Sequence, residues 1–132
     1  MVKRRFSKQR ESIRAYLEGR KDHPTAEMIY EAVREEFPSI SLGTVYRNLA
    51  LLEEDGEIVR LDVGEEQDRF DPNIEKHYHF VCRKCGAVSD LDMPWMTHVD
   101  VLAESFTDGK IEGHSAYFYG LCEKCIMRMI PD

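Results

Sequence analysis

The stretch from His77 to Cys85, HYHFVCRKC, combines two kinds of metal-binding group. It ends in a Cys-x-x-Cys pair, and the other two cysteines of the chain, Cys122 and Cys125, form a second pair with the same spacing. Two such pairs supply the four thiolates of a closed tetrahedral zinc site, whereas the stretch begins with imidazoles. We therefore expect a structural zinc ion on Cys82, Cys85, Cys122 and Cys125, and a different metal on the histidines.

Length and hydropathy set the class of protein. The 132 residues suffice for one ordinary domain or two small ones. No segment approaches the roughly 18–20 apolar residues of a membrane span, and the N-terminus shows no apolar segment of a signal peptide. We expect a cytoplasmic protein without membrane association. Because the cytoplasm is reducing, paired cysteines favour a zinc site over disulfide bonds, and disulfide bonds are the alternative.

Charge is distributed unevenly along the chain. The net charge is −7, but residues 1–21 carry eight bases and two acids, which leaves −13 on the other 111 residues. A basic terminal segment on an otherwise acidic protein is typical of a protein that binds phosphate groups with that segment. An ordinary solvated basic terminus is the alternative. If DNA is bound, Lys8 and Arg10 are the expected phosphate contacts.

Three helices and a small hairpin are predicted at the N-terminal end. Capping residues and helical periodicity, followed by two short extended runs, place these elements at about 8–18, 25–37, 42–54, 57–61 and 67–71. Ser7 and Ser41 are the predicted N-caps of the first and third helices. Residues 1–71 are therefore predicted to form a winged helix-turn-helix domain.

The third helix carries polar groups beside its apolar stripe. Thr44, Tyr46, Arg47 and Asn48 lie off the stripe formed by Leu42, Val45, Leu49 and Leu52. Arginine can pair bidentately with guanine, and an aromatic ring can contact the thymine methyl group. These four residues are the predicted base-contacting set, although Tyr46 taken alone is more typical of partial core packing than of a base contact.

The remaining residues predict a smaller α/β unit. A polar connector, 72–77, is the expected hinge, and residues 78–132 form the second domain. Strands are predicted at 78–82, 87–91 and 110–121, and helices at 94–106 and 126–130. The first of these helices is expected to turn its apolar stripe inward, with Val99, Leu102, Ala103 and Phe106 in the core. The aromatic last strand favours pairing with a partner subunit. The predicted fold class is thus α+β, with a small dimerisation domain that contains the four-cysteine zinc site.

Seven short motifs, taken in order and spacing, resemble those of the ferric uptake regulator family of metal-dependent bacterial repressors. They are His23-Pro24-Thr25-Ala26, Thr44-Val45-Tyr46-Arg47, Arg69-Phe70-Asp71, His77-Tyr78-His79, Cys82 to Gly86, Tyr119-Gly120 and Cys122 to Cys125. The resemblance implies a homodimeric winged-helix repressor whose regulatory metal lets both recognition helices reach palindromic operator DNA.

The resemblance also implies a regulatory metal site, with ligands His23, Asp71, His77, His79 and Asp90. Two histidines two apart on a strand project to the same side, as one metal requires. Imidazole with carboxylate suits iron(II), manganese(II), zinc or nickel. The alternatives are an exposed loop histidine for His23 and a solvated strand-end acid for Asp90.

The branch of the family is the least determined feature. The His-Tyr-His run and Asp90 look like the peroxide sensors with regulatory iron(II) or manganese(II), and no cysteine is spare for a zinc sensor. Arg47 instead resembles the iron-responsive regulators. We favour peroxide sensing, with iron sensing as the alternative. His98 and His114 are either surface histidines or members of an accessory metal site.

Two other classes of function fit the sequence less well. A zinc-bearing metal-dependent hydrolase would need a positioned base or nucleophile, but no HExxH or Ser-His-Asp arrangement accompanies the ligands. A purely structural interaction module would leave the basic terminus and the His-Tyr-His run without a role. The chain is expected not to be an enzyme.

Overall fold

The computed structural model describes residues 4–64 and 67–129, and the chain divides into two compact units, Met1–Glu75 and Lys76–Asp132. The first unit contains α1 (Lys8–Leu17), α2 (Ala26–Val33), α3 (Leu42–Glu54), β1 (Val59–Leu61) and β2 (Arg69–Asp71). The second contains β3 (Tyr78–Cys82), β4 (Val88–Leu91), α4 (Thr97–Glu104), β5 (Tyr117–Gly120) and α5 (Glu123–Met129). The α+β class is confirmed.

Side-chain caps begin the helices of the first unit. The hydroxyl of Ser7 accepts from the backbone N–H of Arg10 at 3.2 Å, and that of Ser41 accepts from Thr44 at 3.1 Å. Each bond satisfies a backbone donor that has no partner inside the helix. Both predicted N-caps are confirmed.

The second helix is shorter than predicted, because it ends at Val33 and not near Phe37. Proline disfavours helical backbone angles in the residue before it, so Pro38 limits the helix from its C-terminal side. The chain turns instead, with Phe37 donating its N–H to the carbonyl of Val33 at 2.9 Å, and Ile40 then enters the core at 5% exposure.

The three helices enclose a core that the wing completes. Buried side chains from α1, α2 and α3 pack with Ile58 and with Phe70 of β2. Strands β1 and β2 are antiparallel, with Arg60 opposite Phe70. The arrangement of three helices and a hairpin agrees with the predicted elements, although each strand has only three residues.

The second unit is built on a three-stranded sheet with β3 at its centre. Strand β4 pairs antiparallel with β3 and β5 pairs parallel with it, in the order β4-β3-β5. The predicted long strand at 110–121 is wrong, since only Tyr117–Gly120 is extended. The reason is the register: Tyr117 lies opposite His79, the second residue of β3, so residues 110–115 extend beyond the start of β3 and have no strand residue beside them.

Helix α4 differs from its prediction in bounds and in burial. It spans Thr97–Glu104, none of its residues is buried, and Leu102 is 61% exposed. Phe106, expected to face inward, is 82% exposed. The periodicity of the sequence identified an apolar face of α4, but no other described element of the second unit covers this face. Within the ranges 4–64 and 67–129, every helix is too short or too polar to cross a lipid bilayer.

Candidate metal centres and nucleic-acid interface

The four cysteines lie together in the second unit. The Sγ atoms of Cys82 and Cys125 are 3.6 Å apart, and those of Cys85 and Cys122 are 3.8 Å apart. All four sulfur atoms lie within 4.8 Å of one another, and all four thiols are free. With zinc–sulfur bonds of about 2.3 Å, tetrahedral geometry requires sulfurs about 3.8 Å apart, so the set fits a zinc ion.

Strand pairing and a tight turn bring the two cysteine pairs together. Strand β3 ends at Cys82, and Gly86, at a φ of +77°, returns its N–H to the Cys82 carbonyl at 2.9 Å. Parallel pairing places Gly120 beside Cys82, so the second pair follows directly from β5. Cys125 is the buried residue of α5, and the helix therefore contributes its buried side chain to the four-cysteine cluster.

The pKa values of two of the thiols are shifted in opposite directions. The backbone N–H of Cys85, with that of Cys122, lowers the pKa of Cys82 to about 6, because both donate toward its sulfur. The side chain of Cys122, together with burial, raises the pKa of Cys125 to about 12. Cys82 therefore loses its proton more easily than Cys125, and zinc binding requires both as thiolates.

A histidine–aspartate pair is buried in the first unit. His23 Nε2 lies 3.2 Å from Asp71 Oδ2, with side-chain exposures of 0% and 2%. The two meet because the loop before α2 pairs with β2, where Phe70 donates its N–H to the Pro24 carbonyl at 2.9 Å. The alternative of an exposed loop histidine is therefore wrong.

The backbone of His23 is unusual, with a φ of +52°. Such left-handed conformations are uncommon for residues other than glycine, and they cluster at functional sites. The carbonyl of His23 accepts from the Arg69 guanidinium at 3.3 Å, which holds this conformation against the wing. No pattern in the sequence signals this feature.

A second group of nitrogen and oxygen donors lies at one end of the sheet in the second unit. Asp90 Oδ1 is 3.1 Å from His77 Nε2 and 3.5 Å from His79 Nε2. The β3–β4 register places His79 opposite Asp90, and the two imidazole centroids are 4.4 Å apart. Asp90 is one-third exposed, but it faces the histidines and not only solvent.

The two remaining candidate histidines of the second unit differ in environment. His98 is exposed on α4. His114 is partly buried, and both of its ring nitrogens lie within hydrogen-bond distance of other side chains, Nδ1 at 2.6 Å from Asp100 and Nε2 at 2.7 Å from Tyr78.

The face of α3 opposite the core presents two of the predicted base-contacting residues. Tyr46 is 38% exposed and Arg47 is exposed, with its guanidinium 3.3 Å from the Thr44 hydroxyl. Asn48 corrects the prediction, since it is only 6% exposed and donates its amide to the Thr44 carbonyl at 3.0 Å. It is one residue before Leu49 and falls within the buried side of the helix, so it is not available to a base.

Several N-terminal bases are paired within the first unit. Lys8 is exposed, while the Arg10 guanidinium donates to the carbonyl of Arg5. Arg4 Nε lies 2.7 Å from Asp55 Oδ2. This ion pair neutralises, within the first unit, part of the positive charge that was expected to be available for phosphate binding. Lys3, which entered that count, lies outside the described residues.

The match to known proteins covers most of the chain. The model of the ferric uptake regulator family matches residues 2–119. The chain belongs to the ferric uptake regulator family. Membership in this family of regulators confirms the expectation that the chain is not an enzyme.

Relatives within the ferric uptake regulator family come from two branches. A peroxide-responsive repressor, PerR of Staphylococcus epidermidis, is 39% identical over 121 residues, which are 92% of this chain and 81% of that protein. A peroxide stress regulator of Campylobacter jejuni is 32% identical, with a TM-score of 0.69 over 89% of this chain and 88% of its own. The Fur protein of Helicobacter pylori, described with three functional metal-binding sites, is 25% identical, with a TM-score of 0.79 over 92% and 82%.

Proposed function

We propose that this protein is a metal-dependent, DNA-binding transcriptional repressor that senses peroxide through a regulatory iron(II) or manganese(II) ion. The observation that carries the proposal is the set of nitrogen and oxygen donors formed by His77, His79 and Asp90, which is separate from the four cysteines. The named relatives support the peroxide branch. As a repressor, the protein acts on DNA in the cytoplasm.

The regulatory ligands are proposed to be His23, Asp71, His77, His79 and Asp90. Each is already beside another member of the set within its own unit, so little side-chain rearrangement precedes binding there. Iron(II) held by these residues would supply a one-electron reductant that activates peroxide, and manganese(II) would be a weaker one. His23 and His77 are the proposed targets of oxidation: overall, one oxygen of the peroxide would add to an imidazole, which gives up two electrons, and the other oxygen would leave as water. An oxidised imidazole binds metal poorly, so the site would then lose its ion.

The structural zinc is proposed to bind Cys82, Cys85, Cys122 and Cys125. The sulfur spacing of 3.6 to 3.8 Å supports this assignment, because it is close to the edge of a zinc–thiolate tetrahedron. The protein thus separates a zinc ion that maintains its fold from an ion that responds to the signal.

DNA binding is proposed to use α3 in the major groove of a palindromic operator. Tyr46 and Arg47 would contact bases with Thr44, while Lys8 and Arg10 would contact phosphates. A palindrome requires two copies of the chain. The exposed apolar residues of the second unit, such as Leu102 and Tyr119, support residues 78–132 as the dimerisation domain, with 72–77 as the hinge and 1–71 as the DNA-binding domain.

Peroxide treatment of iron-loaded and manganese-loaded protein tests the proposed signal. A low peroxide dose should add one oxygen to the peptides that carry His23 or His77 in the iron form, with release of operator DNA measured by fluorescence anisotropy. The manganese form should keep its mass and its DNA. The exposed His98 is the internal control and should not be oxidised.

The opposite result would favour the iron-responsive alternative, which rests on the resemblance of Arg47 to iron regulators and on the similarity to the Helicobacter pylori protein. In that case, no histidine gains oxygen and DNA is released only when iron is removed. Loss of zinc with oxidation of the cysteines would instead place the sensor at the four-cysteine site.

A further inference from the structure

A chain of hydrogen bonds crosses the second unit behind the metal-binding histidines. The Tyr78 hydroxyl accepts from the backbone N–H of Met96 at 3.0 Å and lies 2.7 Å from His114 Nε2. The other ring nitrogen of His114, Nδ1, lies 2.6 Å from Asp100 Oδ1. Three separate parts of the unit thereby meet at β3: the loop before α4, α4 itself and the segment before β5.

The donors and acceptors allow one proton arrangement that satisfies the buried hydroxyl. Tyr78 is completely buried, and its oxygen already accepts from Met96, so its proton must go to His114 Nε2. Neutral His114 then carries its proton on Nδ1 and donates it to Asp100. The opposite tautomer would leave the Tyr78 O–H without an acceptor.

Ring stacking reinforces the same connection. The Trp95 ring stacks on Tyr78 with centroids 4.5 Å apart and on His114 with centroids 4.4 Å apart, both at 11° between planes. Helix α4 buries none of its own residues. The hydrogen-bond chain and the Trp95 stack therefore connect α4, the loop before it and residue 114 to β3.

We infer that Tyr78, His114 and Asp100 are positioning residues for the regulatory metal, and this inference rests on the proposed function. Successive side chains of a strand point to opposite faces, so fixing Tyr78 on one face fixes His77 and His79 on the other. When Tyr78, the first residue of β3, is held in this way, this end of the strand cannot rotate or slip by one position, a movement that would reverse the side chains of His77, Tyr78 and His79.

A pair of tyrosine variants tests the inference. Tyr78→Phe removes the hydroxyl and keeps the ring stack, while Tyr119→Phe makes the same change at a side chain that is 59% exposed in the same sheet. Manganese(II) affinity is measured by electron paramagnetic resonance on protein that holds one zinc per chain. We expect Tyr78→Phe to bind manganese(II) roughly tenfold more weakly, as is typical when a supporting hydrogen bond is lost. Tyr119→Phe should match the wild type.

Variants at Asp100 separate positioning from general stability. Asp100→Asn keeps an oxygen that can accept from His114 Nδ1–H, whereas Asp100→Leu does not. Asp100→Asn should retain most of the manganese(II) affinity, and Asp100→Leu should lose it. Equal affinities for Asp100→Leu and the wild type, or for Tyr78→Phe and the wild type, would overturn the inference.

Nitrogen-15 nuclear magnetic resonance gives a readout that does not depend on the regulatory metal. In zinc-holding protein without manganese, His114 should be the Nδ1–H tautomer, and Tyr78→Phe should shift the His77 and His79 ring signals. A His114 Nε2–H tautomer, or unchanged His77 and His79 signals, would refute the positioning role of the hydrogen-bond chain. If the wild type fails to bind manganese(II), the proposed function fails, and these signals still decide whether the hydrogen-bond chain positions the histidines.

Discussion

Loss of the structural zinc should unfold the second unit and leave the first folded. The change is Cys122→Ser, or removal of zinc from the wild type by a strong chelator. Among residues 76–129 of the second unit, the buried hydrophobic side chains other than cysteine are Tyr78, Val81 and Val88. At about 1.5–3 kcal/mol for each such side chain, they contribute roughly 5–9 kcal/mol before the entropy of ordering the chain is subtracted. Zinc binding at such sites contributes about 10–16 kcal/mol, so the metal stabilises this unit more than its apolar core does.

The first unit has its own means of stability. Among its described residues, its core contains eleven buried hydrophobic residues from the three helices, β2 and the connecting segments, and no cysteine is among them. Zinc loss therefore removes none of the side chains that form this core. We expect the DNA-binding unit to keep its cooperative thermal transition.

Two optical signals separate the units in the full-length chain. The single tryptophan, Trp95, stacks on Tyr78 in the second unit, so a red shift of its emission reports unfolding there. Helices α1, α2 and α3 have 10, 8 and 13 residues, against 8 and 7 for α4 and α5, so circular dichroism reports mainly the first unit. Zinc removal should shift tryptophan emission while about two-thirds of the helical signal remains. Addition of zinc should restore both signals in the wild type but not in Cys122→Ser. An unchanged emission spectrum, or simultaneous loss of both signals, would refute the reasoning.

Two further predictions concern DNA and the regulatory metal. Arg47→Ala should weaken binding to operator DNA by roughly 1–3 kcal/mol and binding to a scrambled duplex by much less. Lys8→Ala should weaken binding to both duplexes equally and reduce the salt dependence of binding by about one counterion. Equal losses of affinity for the two duplexes with Arg47→Ala, measured in anisotropy titrations, would contradict a base contact. His23→Asn should dimerise and keep zinc yet lose metal-stimulated operator binding, since asparagine tolerates the φ of +52° but lacks the imidazole; a normal response to metal would exclude His23 as a ligand.

The elements that local sequence predicts well are those with local physical causes. The caps at Ser7 and Ser41 satisfy backbone donors three residues away, and β3 has the predicted bounds. Errors arose where distant parts of the chain decide the outcome. The strand predicted at 110–121 contracts to β5 because its register on β3 leaves residues 110–115 beyond the start of that strand. The early end of α2, by contrast, has a local cause in the turn before Pro38.

Burial was the property that periodicity predicted least well. Asn48 was placed with the polar residues of α3, but its amide bonds to the Thr44 carbonyl and it is buried. Leu102 was placed in a core, but it is exposed, because a helical stripe shows only that a face is apolar and not which element covers it.

By itself, the sequence determined the candidate zinc ligands, the His-Tyr-His run and the order of helices and strands, because ligand spacing, caps and periodicity act over a few residues. The tertiary structure decided which groups meet. It paired His23 with Asp71, Asp90 with His79, and Tyr78 with His114, and it set the left-handed backbone of His23. These contacts join residues that are far apart along the chain, and strand register and loop path, which no local pattern encodes, bring them together.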